Sequence, residues 1–284
     1  MTAKIRTGVH FFDKRYGGSY RNRAMLVCGR SGSGKSLFGF QFIAQGVKDG
    51  SRCLLLSGRP AADVVIYGDG IGLHLGEAVE NGSFIVLEYN DYIPGPNSES
   101  HLTLPPEGFV QLQEMIEANG VQRLVLDTCL PWVTLPTTDA LASHCFSLVR
   151  SLDRLGVSTV LTLPKPVSPS AFKLKSILED IVPVSVSLLW DDTTDTRTWI
   201  VNKYLGEARL DDRTEFSITK GIGLQAVGQD SATVKEKADP LRAGESPPPS
   251  PVPDPPANPP APARDDASEK RRVRFADAIL GNAK

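Results

Sequence analysis

The sequence predicts an α/β domain in which helices flank a mainly parallel sheet with a C-terminal antiparallel hairpin, followed by a disordered proline-rich tail. Short apolar runs alternate with runs of helical spacing from residue 24 to residue 163, a pattern typical of parallel strands joined by helices. Two strand-like runs then follow each other across a short acidic turn, which predicts the hairpin. Eleven of the 22 prolines lie between Pro240 and Pro262, where no core can form.

The elements of the predicted domain follow from the spacing of its apolar residues. Strands are predicted at the short apolar runs, which are residues 24–28, 53–56, 84–87, 123–127 and 157–163. Helices are predicted at residues 35–47, 107–120 and 139–155. Gly120 and Gly156 are helix stop signals. The hairpin joins residues 184–190 to 196–204, and residues 215–226 are predicted as a third strand.

The composition argues against several classes of protein. The 284 residues carry 31 Lys and Arg against 33 Asp and Glu, a near-neutral balance that gives no general basic surface for nucleic acid. No run is long and apolar enough for a membrane helix, and the N-terminus shows no apolar signal core. Four widely spaced cysteines form no C-x-x-C pair, so we expect reduced core thiols and a cytoplasmic location.

The chain divides into three predicted parts. Residues 1–228 are the folded domain, because strand-like and helix-like runs end there. Residues 229–264 are a disordered linker of extended, polyproline character, since proline lacks the backbone donor that a packed structure needs. Residues 265–284 form a short terminal peptide of basic and apolar residues.

A complete phosphate-binding loop follows the first long strand. Its G-x-x-x-x-G-K-S pattern consists of Gly29, Arg30, Ser31, Gly32, Ser33, Gly34, Lys35 and Ser36. Glycines let the backbone N–H groups approach phosphates at the positive end of the following helix. Lys35 would then reach the β- and γ-phosphates, and Ser36 would hold Mg²⁺. The alternative is an ordinary glycine-rich turn between a strand and a helix.

Asp127 is the predicted acidic partner of the magnesium ion. It ends the apolar run Leu124–Leu126, and the carboxyl ends of strands are where open α/β sheets bind ligands. The alternative role is to cap a helix that follows the strand.

The N-terminal region resembles the KaiC-type branch of the RecA-like ATPases. The resemblance rests on Thr7–Asp13, on Gly17 and Gly18, and on the distance from these to the phosphate loop. It continues through Asp127 and Thr128 to the hairpin at residues 199–203, and it covers residues 4–228 as one domain. It implies a RecA-like sheet, binding of ATP and Mg²⁺, and homo-oligomeric rings with nucleotide between neighbouring subunits.

Two departures from the family pattern predict slow hydrolysis. Arg59 and Pro60 stand where the family carries adjacent glutamates that activate water, and neither side chain can act as a base near neutral pH. Asp63 and Glu88 are candidate substitutes. The family also ends its hairpin with two basic residues that reach the neighbouring subunit's γ-phosphate; here Lys203 is present, but Leu205 replaces the second, unless the alignment slips towards Arg209.

The terminal peptide predicts an interaction with a partner protein. Arg272, Val273 and Phe275 resemble the docking motif of regulatory subunits of type-one protein phosphatase, and the two apolar side chains alternate as in a strand added to a sheet edge. Alternatively, residues 277–282 form a small helix for another partner, or the peptide is a solvated basic tail.

Three functions are consistent with these observations. The first is a nucleotide-dependent scaffold or switch, slow or inactive in hydrolysis, that tethers a partner through its tail. The second is an active ATPase, and the third a recombinase-like DNA-binding protein. A DNA-binding protein of this type needs basic residues after Asp127. Before the hairpin this region offers Lys165, Lys173 and Lys175, and Arg150 and Arg154 lie in a predicted helix. An autokinase role has no residue that specifically supports it.

Overall fold

The computed structural model describes residues 3–88, 106–133, 140–207 and 212–228. The helices are α1 (His10–Tyr16), α2 (Lys35–Lys48), α3 (Ala61–Gly70), α4 (Leu75–Glu80), α5 (Pro106–Asn119), α6 (Leu130–Val133), α7 (Leu141–Arg154) and α8 (Pro169–Ile181). The strands are β1 (Lys4–Ile5), β2 (Ser19–Tyr20), β3 (Ala24–Gly29), β4 (Arg52–Ser57), β5 (Phe84–Glu88), β6 (Val121–Asp127), β7 (Ser158–Pro164), β8 (Val184–Asp191), β9 (Thr196–Tyr204), β10 (Arg213–Thr219) and β11 (Gly223–Ala226).

Nine strands form one sheet in the order β11-β10-β9-β8-β3-β7-β6-β4-β5. From β8 to β5 every neighbouring pair is parallel, whereas β8 to β11 are joined antiparallel. The phosphate-loop strand β3 therefore lies inside the sheet, between β7 and β8. This arrangement confirms the predicted α/β class, the mainly parallel sheet and the antiparallel hairpin.

The prediction of one strand at residues 215–226 is wrong, because this region forms two strands. β10 and β11 pair antiparallel, with Thr219 opposite Gly223. The turn between them places Gly221 and Gly223 at φ values of 82° and 85°, a region that residues with a side chain rarely adopt. The glycines that interrupt the apolar pattern therefore mark a tight turn.

Helices cover both faces of the sheet, and each face has its own core. Successive strand residues point to opposite faces, so Met25 and Val27 of β3 join one core whereas Leu26 and Cys28 join the other. The first core contains α1 and α2 with the fully buried Phe38, and the second contains residues of α5 to α8. Burial of both faces explains why these strands read as continuous apolar runs.

Several short elements were absent from the predictions. They are the helices α1, α3, α4 and α6 and the small sheet of β1 and β2. The longer helix α8 was also not predicted. The start of α8 does carry a sequence signal, since the Ser168 hydroxyl accepts a hydrogen bond from the Ala171 N–H and Pro169 is the first helical residue. The predicted linker and terminal peptide lie outside the described residues, so both stay predictions. In the described part of the chain, no helix has the length and apolarity needed to cross a membrane.

Gln41 of α2 connects the N-terminal segment, helix α2 and the edge strand β11. This side chain of α2 is 3% exposed, and its amide nitrogen donates to the carbonyls of Ile222 at 2.9 Å and Gly8 at 3.2 Å. Its amide oxygen accepts the Leu224 N–H at 2.9 Å. One buried amide therefore ties the N-terminal segment and β11 to the phosphate-loop helix.

We expect Gln41→Leu to lower the free energy of unfolding by about 3 kcal/mol, because buried backbone groups lose their partners while the volume is nearly kept. Gln45→Ala is the matched control on the same helix, since the Gln45 side chain donates to the exposed residue Asp49; its effect should stay within about 0.5 kcal/mol. Urea unfolding followed by circular dichroism measures both. Equal effects of the two substitutions would contradict the role assigned to Gln41.

Candidate nucleotide-binding site

The candidate site lies at the carboxyl edge of the parallel strands. Gly29 ends β3 and Asp127 ends β6, with β7 between the two strands. On the far side of β6, Asp127 is in register with Ser57 of β4, and Ser57 is in register with Glu88 of β5. Ligands of open α/β sheets bind at this edge, because the loops that leave the strands converge there.

The loop between β3 and α2 has the backbone of a phosphate cradle. Gly32 and Gly34 have φ values of 77° and 103°, which require glycine. A Cβ at Gly29 would lie 2.5 Å from the Leu188 carbonyl oxygen and from the Ser33 hydroxyl, so no side chain fits there. The 14-residue helix α2 begins directly after Gly34 and turns its positive end towards the loop.

Lys35 is held inside this loop and lies in the field of Asp127. Its Nζ donates to the Arg30 carbonyl oxygen at 2.8 Å. Burial lowers the pKa of Lys35 below that of an ordinary lysine, the negative charge of Asp127 acts in the opposite direction, and the positive charge of Arg59 lowers it further. Asp127 and Arg59 therefore both lie within electrostatic reach of Lys35.

The residues of the loop fit the phosphates of a nucleotide. The hydroxyl of Ser33 is buried and, among the residues that the structure describes, has no hydrogen-bond partner. The hydroxyl of Ser33 and the backbone N–H groups at the start of α2 are groups that can donate to an anion. Ser36 is half-buried in the first turn of α2, and its role as a magnesium ligand stays a prediction.

Asp127 is positioned by a residue that the sequence did not indicate. The hydroxyl of Thr162, fully buried on β7, donates to Asp127 Oδ1 at 2.8 Å. The described residues contain no cluster of three His, Cys, Asp or Glu able to hold a metal ion. A magnesium ion here would therefore depend on one carboxylate, a serine hydroxyl and the phosphates themselves, the usual arrangement for this ion.

The two candidate catalytic acids occupy different positions near the loop after β4. Asp63 is exposed in the first turn of α3, and its N–H bonds the Pro60 carbonyl at 3.0 Å. Glu88 is also exposed, and its carboxylate accepts the N–H of Ala61 at 2.6 Å. Glu88 therefore binds the start of α3, two strand spacings or about 10 Å from the strand that carries Asp127.

Lys203 lies away from the phosphate loop of its own chain. Its Nζ donates to the carbonyls of Glu179 and Asp180 at 2.8 Å each, at the end of α8. It pairs with Ser185, which is in register with Leu26, three residues or about 10 Å before Gly29. The contact of Lys203 with a nucleotide stays a prediction. In this geometry, the nucleotide would be one bound by a neighbouring subunit.

Comparison with known proteins relates the chain to circadian clock proteins. A family model described as "ATPase: KaiC" matches residues 5–230. Circadian clock protein KaiC2 of Synechocystis sp. is 28% identical over 232 residues, 78% of this chain and 40% of that protein. Circadian clock oscillator protein KaiC of Synechococcus elongatus is 25% identical over 263 residues, 86% of this chain and 49% of that protein. The chain thus spans less than half the length of these relatives.

We expect Lys35→Ala to weaken binding of Mg·ATP at least about 100-fold, because a charge-assisted contact to the phosphates is lost from a half-buried site. Lys48→Ala removes the same charge from the exposed end of the same helix and should leave the affinity unchanged. Isothermal titration calorimetry measures both constants. Unchanged affinity in Lys35→Ala would exclude this loop as the phosphate site.

Proposed function

The chain belongs to the KaiC ATPase family, and we propose that it is an ATP-dependent scaffold or switch that hydrolyses ATP slowly. The observation that carries the proposal is the combination of an intact phosphate loop with Arg59 and Pro60 at the positions of the water-activating glutamates. Binding and turnover require different residues, so a chain can keep the first function and lose most of the second.

The binding residues act through charge and backbone dipoles. The N–H groups of the loop and the Ser33 hydroxyl would donate to phosphate oxygens, and Lys35 would exchange its bond to the Arg30 carbonyl for a bond to the β- and γ-phosphates. Ser36 and Asp127 would hold Mg²⁺, which neutralises phosphate charge when it is bound. Thr162 keeps the Asp127 carboxylate in place.

The hydrolytic step has no evident base. Arg59 adds positive charge near Lys35 and cannot accept a proton at neutral pH. Glu88 is a candidate acid near the loop after β4, but its carboxylate already accepts the N–H of Ala61. Turnover should therefore be slow for lack of a group that removes a proton from water, a function usually worth about 10²–10⁴ in rate.

Assembly is the second part of the proposal. Because Lys203 lies far from its own loop, a contribution to phosphate binding requires a neighbouring copy of the chain, with nucleotide between subunits. The four cysteines are free and buried, which supports a cytoplasmic location. We propose neither a membrane attachment nor a nucleic-acid partner.

The tail is the third part of the proposal. Residues 229–264 would act as a flexible spacer, and Arg272, Val273 and Phe275 would bind a partner protein. A flexible spacer raises the effective concentration of a bound partner near the domain without new contacts on the domain itself. Nucleotide state and partner capture would then be combined in one chain.

We expect the double substitution Arg59→Glu/Pro60→Glu to raise ATP turnover at least about tenfold above the wild type, since it supplies carboxylates near the loop. Arg59→Gln/Pro60→Gln is the matched control, because glutamine has the same shape and cannot act as a base. Phosphate release at saturating Mg·ATP gives the rates. Equal rates in both variants would contradict the proposed cause of slow turnover.

The alternative, an active ATPase, requires Asp63 or Glu88 to act as the base. Wild-type turnover near about 1 per second, abolished by Lys35→Ala, would establish it. If Glu88 then acts as the base, Glu88→Gln should abolish turnover while ATP affinity is retained. If Glu88 only binds the start of α3, the same substitution should leave turnover unchanged.

Deletion of residues 229–284 should leave the affinity for Mg·ATP unchanged, because the site lies within the described domain. Capture of a partner should be lost in the same variant, and Val273→Ala/Phe275→Ala should reproduce that loss in the full chain. Calorimetry and co-purification measure the two effects. Loss of ATP binding on deletion would contradict the division into domain and tether.

A further inference from the structure

The tip of the β8–β9 hairpin packs directly on the phosphate loop. Trp190, at the end of β8, lies so close to Gly32 that a Cβ on this glycine would be 2.5 Å from the indole carbon Cζ3. Gly32 is thus constrained by an aromatic ring from outside the loop as well as by its own φ of 77°. The phosphate-loop motif itself contains no signal for this neighbour.

Arg30 joins the loop to the hairpin with its side chain. The guanidinium lies 5.1 Å from the centre of the Trp190 ring, within the range of a cation–π contact. One guanidinium nitrogen donates to the Trp190 carbonyl at 3.4 Å, and the other pairs with Asp192 at 3.0 Å. Arg30, at a position where the motif accepts any residue, therefore makes three contacts with the turn of the hairpin.

The orientation of Trp190 is determined within its own hairpin. Its indole Nε1 donates to Asp195 Oδ1 at 3.0 Å, and the guanidinium of Arg197 lies 4.8 Å from the ring centre. Arg197 in turn pairs with Asp195 at 3.1 Å. Contacts within the hairpin thus hold the ring in place.

These contacts bear on the phosphate-binding lysine through the main chain. The carbonyl of Arg30, whose side chain the hairpin holds, accepts the bond from Lys35 Nζ at 2.8 Å. We propose that Trp190 and Arg30 are positioning residues for the phosphate loop, so that the hairpin tip sets the affinity for Mg·ATP. This inference rests on the proposed function and deepens it.

The three contacts should contribute unequally. The side chains of Arg30 and Asp192 are 41% and 58% exposed, and ion pairs at such sites contribute little because water screens them. The ring of Trp190 is half-buried against both Gly32 and Arg30, so its removal loses packing and the cation–π contact together. Trp190 is therefore the main residue of the contact, and Asp192 is secondary.

The test compares Mg·ATP affinity in substituted full-length chains. We expect Trp190→Ala to weaken binding about tenfold, since a loosened loop must be ordered when the nucleotide binds. Trp190→Phe keeps an aromatic face and should stay within about threefold of the wild type, as should Asp192→Asn. If the two residues act as one unit, Arg30→Ala/Trp190→Ala should bind no more weakly than Trp190→Ala alone.

A fluorescence measurement separates positioning from general stability. Trp190 contacts Gly32 and Arg30 of the loop, whereas Trp132 and Trp199 are fully buried in the two cores. Mg·ATP should change the emission of the wild type and leave that of Trp190→Phe unchanged, although this variant still binds. Thermal unfolding of each variant identifies any loss of affinity that comes from a misfolded chain.

Two results would overturn the inference and leave the proposed function intact. One is that Trp190→Ala and Arg30→Ala bind Mg·ATP with wild-type affinity while Lys35→Ala fails to bind it. The other is that the losses of affinity in the two single variants add fully in Arg30→Ala/Trp190→Ala. By contrast, a wild-type chain that binds no Mg·ATP would refute the proposed function itself.

Discussion

The first backbone N–H groups of α2 have no partners within the helix, and the fold directs them towards the carboxyl edge of a buried sheet. Unpaired donors at a helix start are costly in an apolar surrounding and favourable beside an anion. Strand β3 supplies the rigid base, since it is hydrogen-bonded to β7 and β8 along its length. The glycines of the loop supply the φ values that this geometry needs. The other features of the site follow from this one arrangement.

The charges around the loop are the physical basis of the proposed retention of a nucleotide. Lys35 and Asp127 are coupled across the site, and Thr162 holds Asp127 in place. The positive charge of Arg59, in the loop after β4, lowers the pKa of Lys35, and we propose that this residue replaces a water-activating glutamate of the family. The carboxylate of Glu88 bonds the backbone at the start of α3. In the proposed function, these charges would support nucleotide binding, and the lack of a base would slow hydrolysis.

Local patterns predicted the parts of the fold that depend on local chemistry. The strands near residues 24–28, 53–56, 84–87, 123–127 and 157–163 are confirmed, because apolar runs buried on both faces leave a clear signal. The two strands of residues 215–226 were merged, since a turn made by Gly221 and Gly223 interrupts the pattern only briefly. Thr162, Trp190 and Gln41 could not be found in this way, because the partners that give them their roles are 33 to 183 residues distant in the sequence and meet them only in the folded domain.

The state of the nucleotide bound to the protein tests the central claim most directly. Excess protein is mixed with Mg·ATP labelled in the base, and bound nucleotide is separated after increasing times. If turnover is slow, the bound nucleotide is recovered mainly as ATP. An enzyme with a turnover rate of about 1 per second would have converted it to ADP long before. Recovery as ADP within the first seconds would contradict the account, since it would show that another group of this chain activates water.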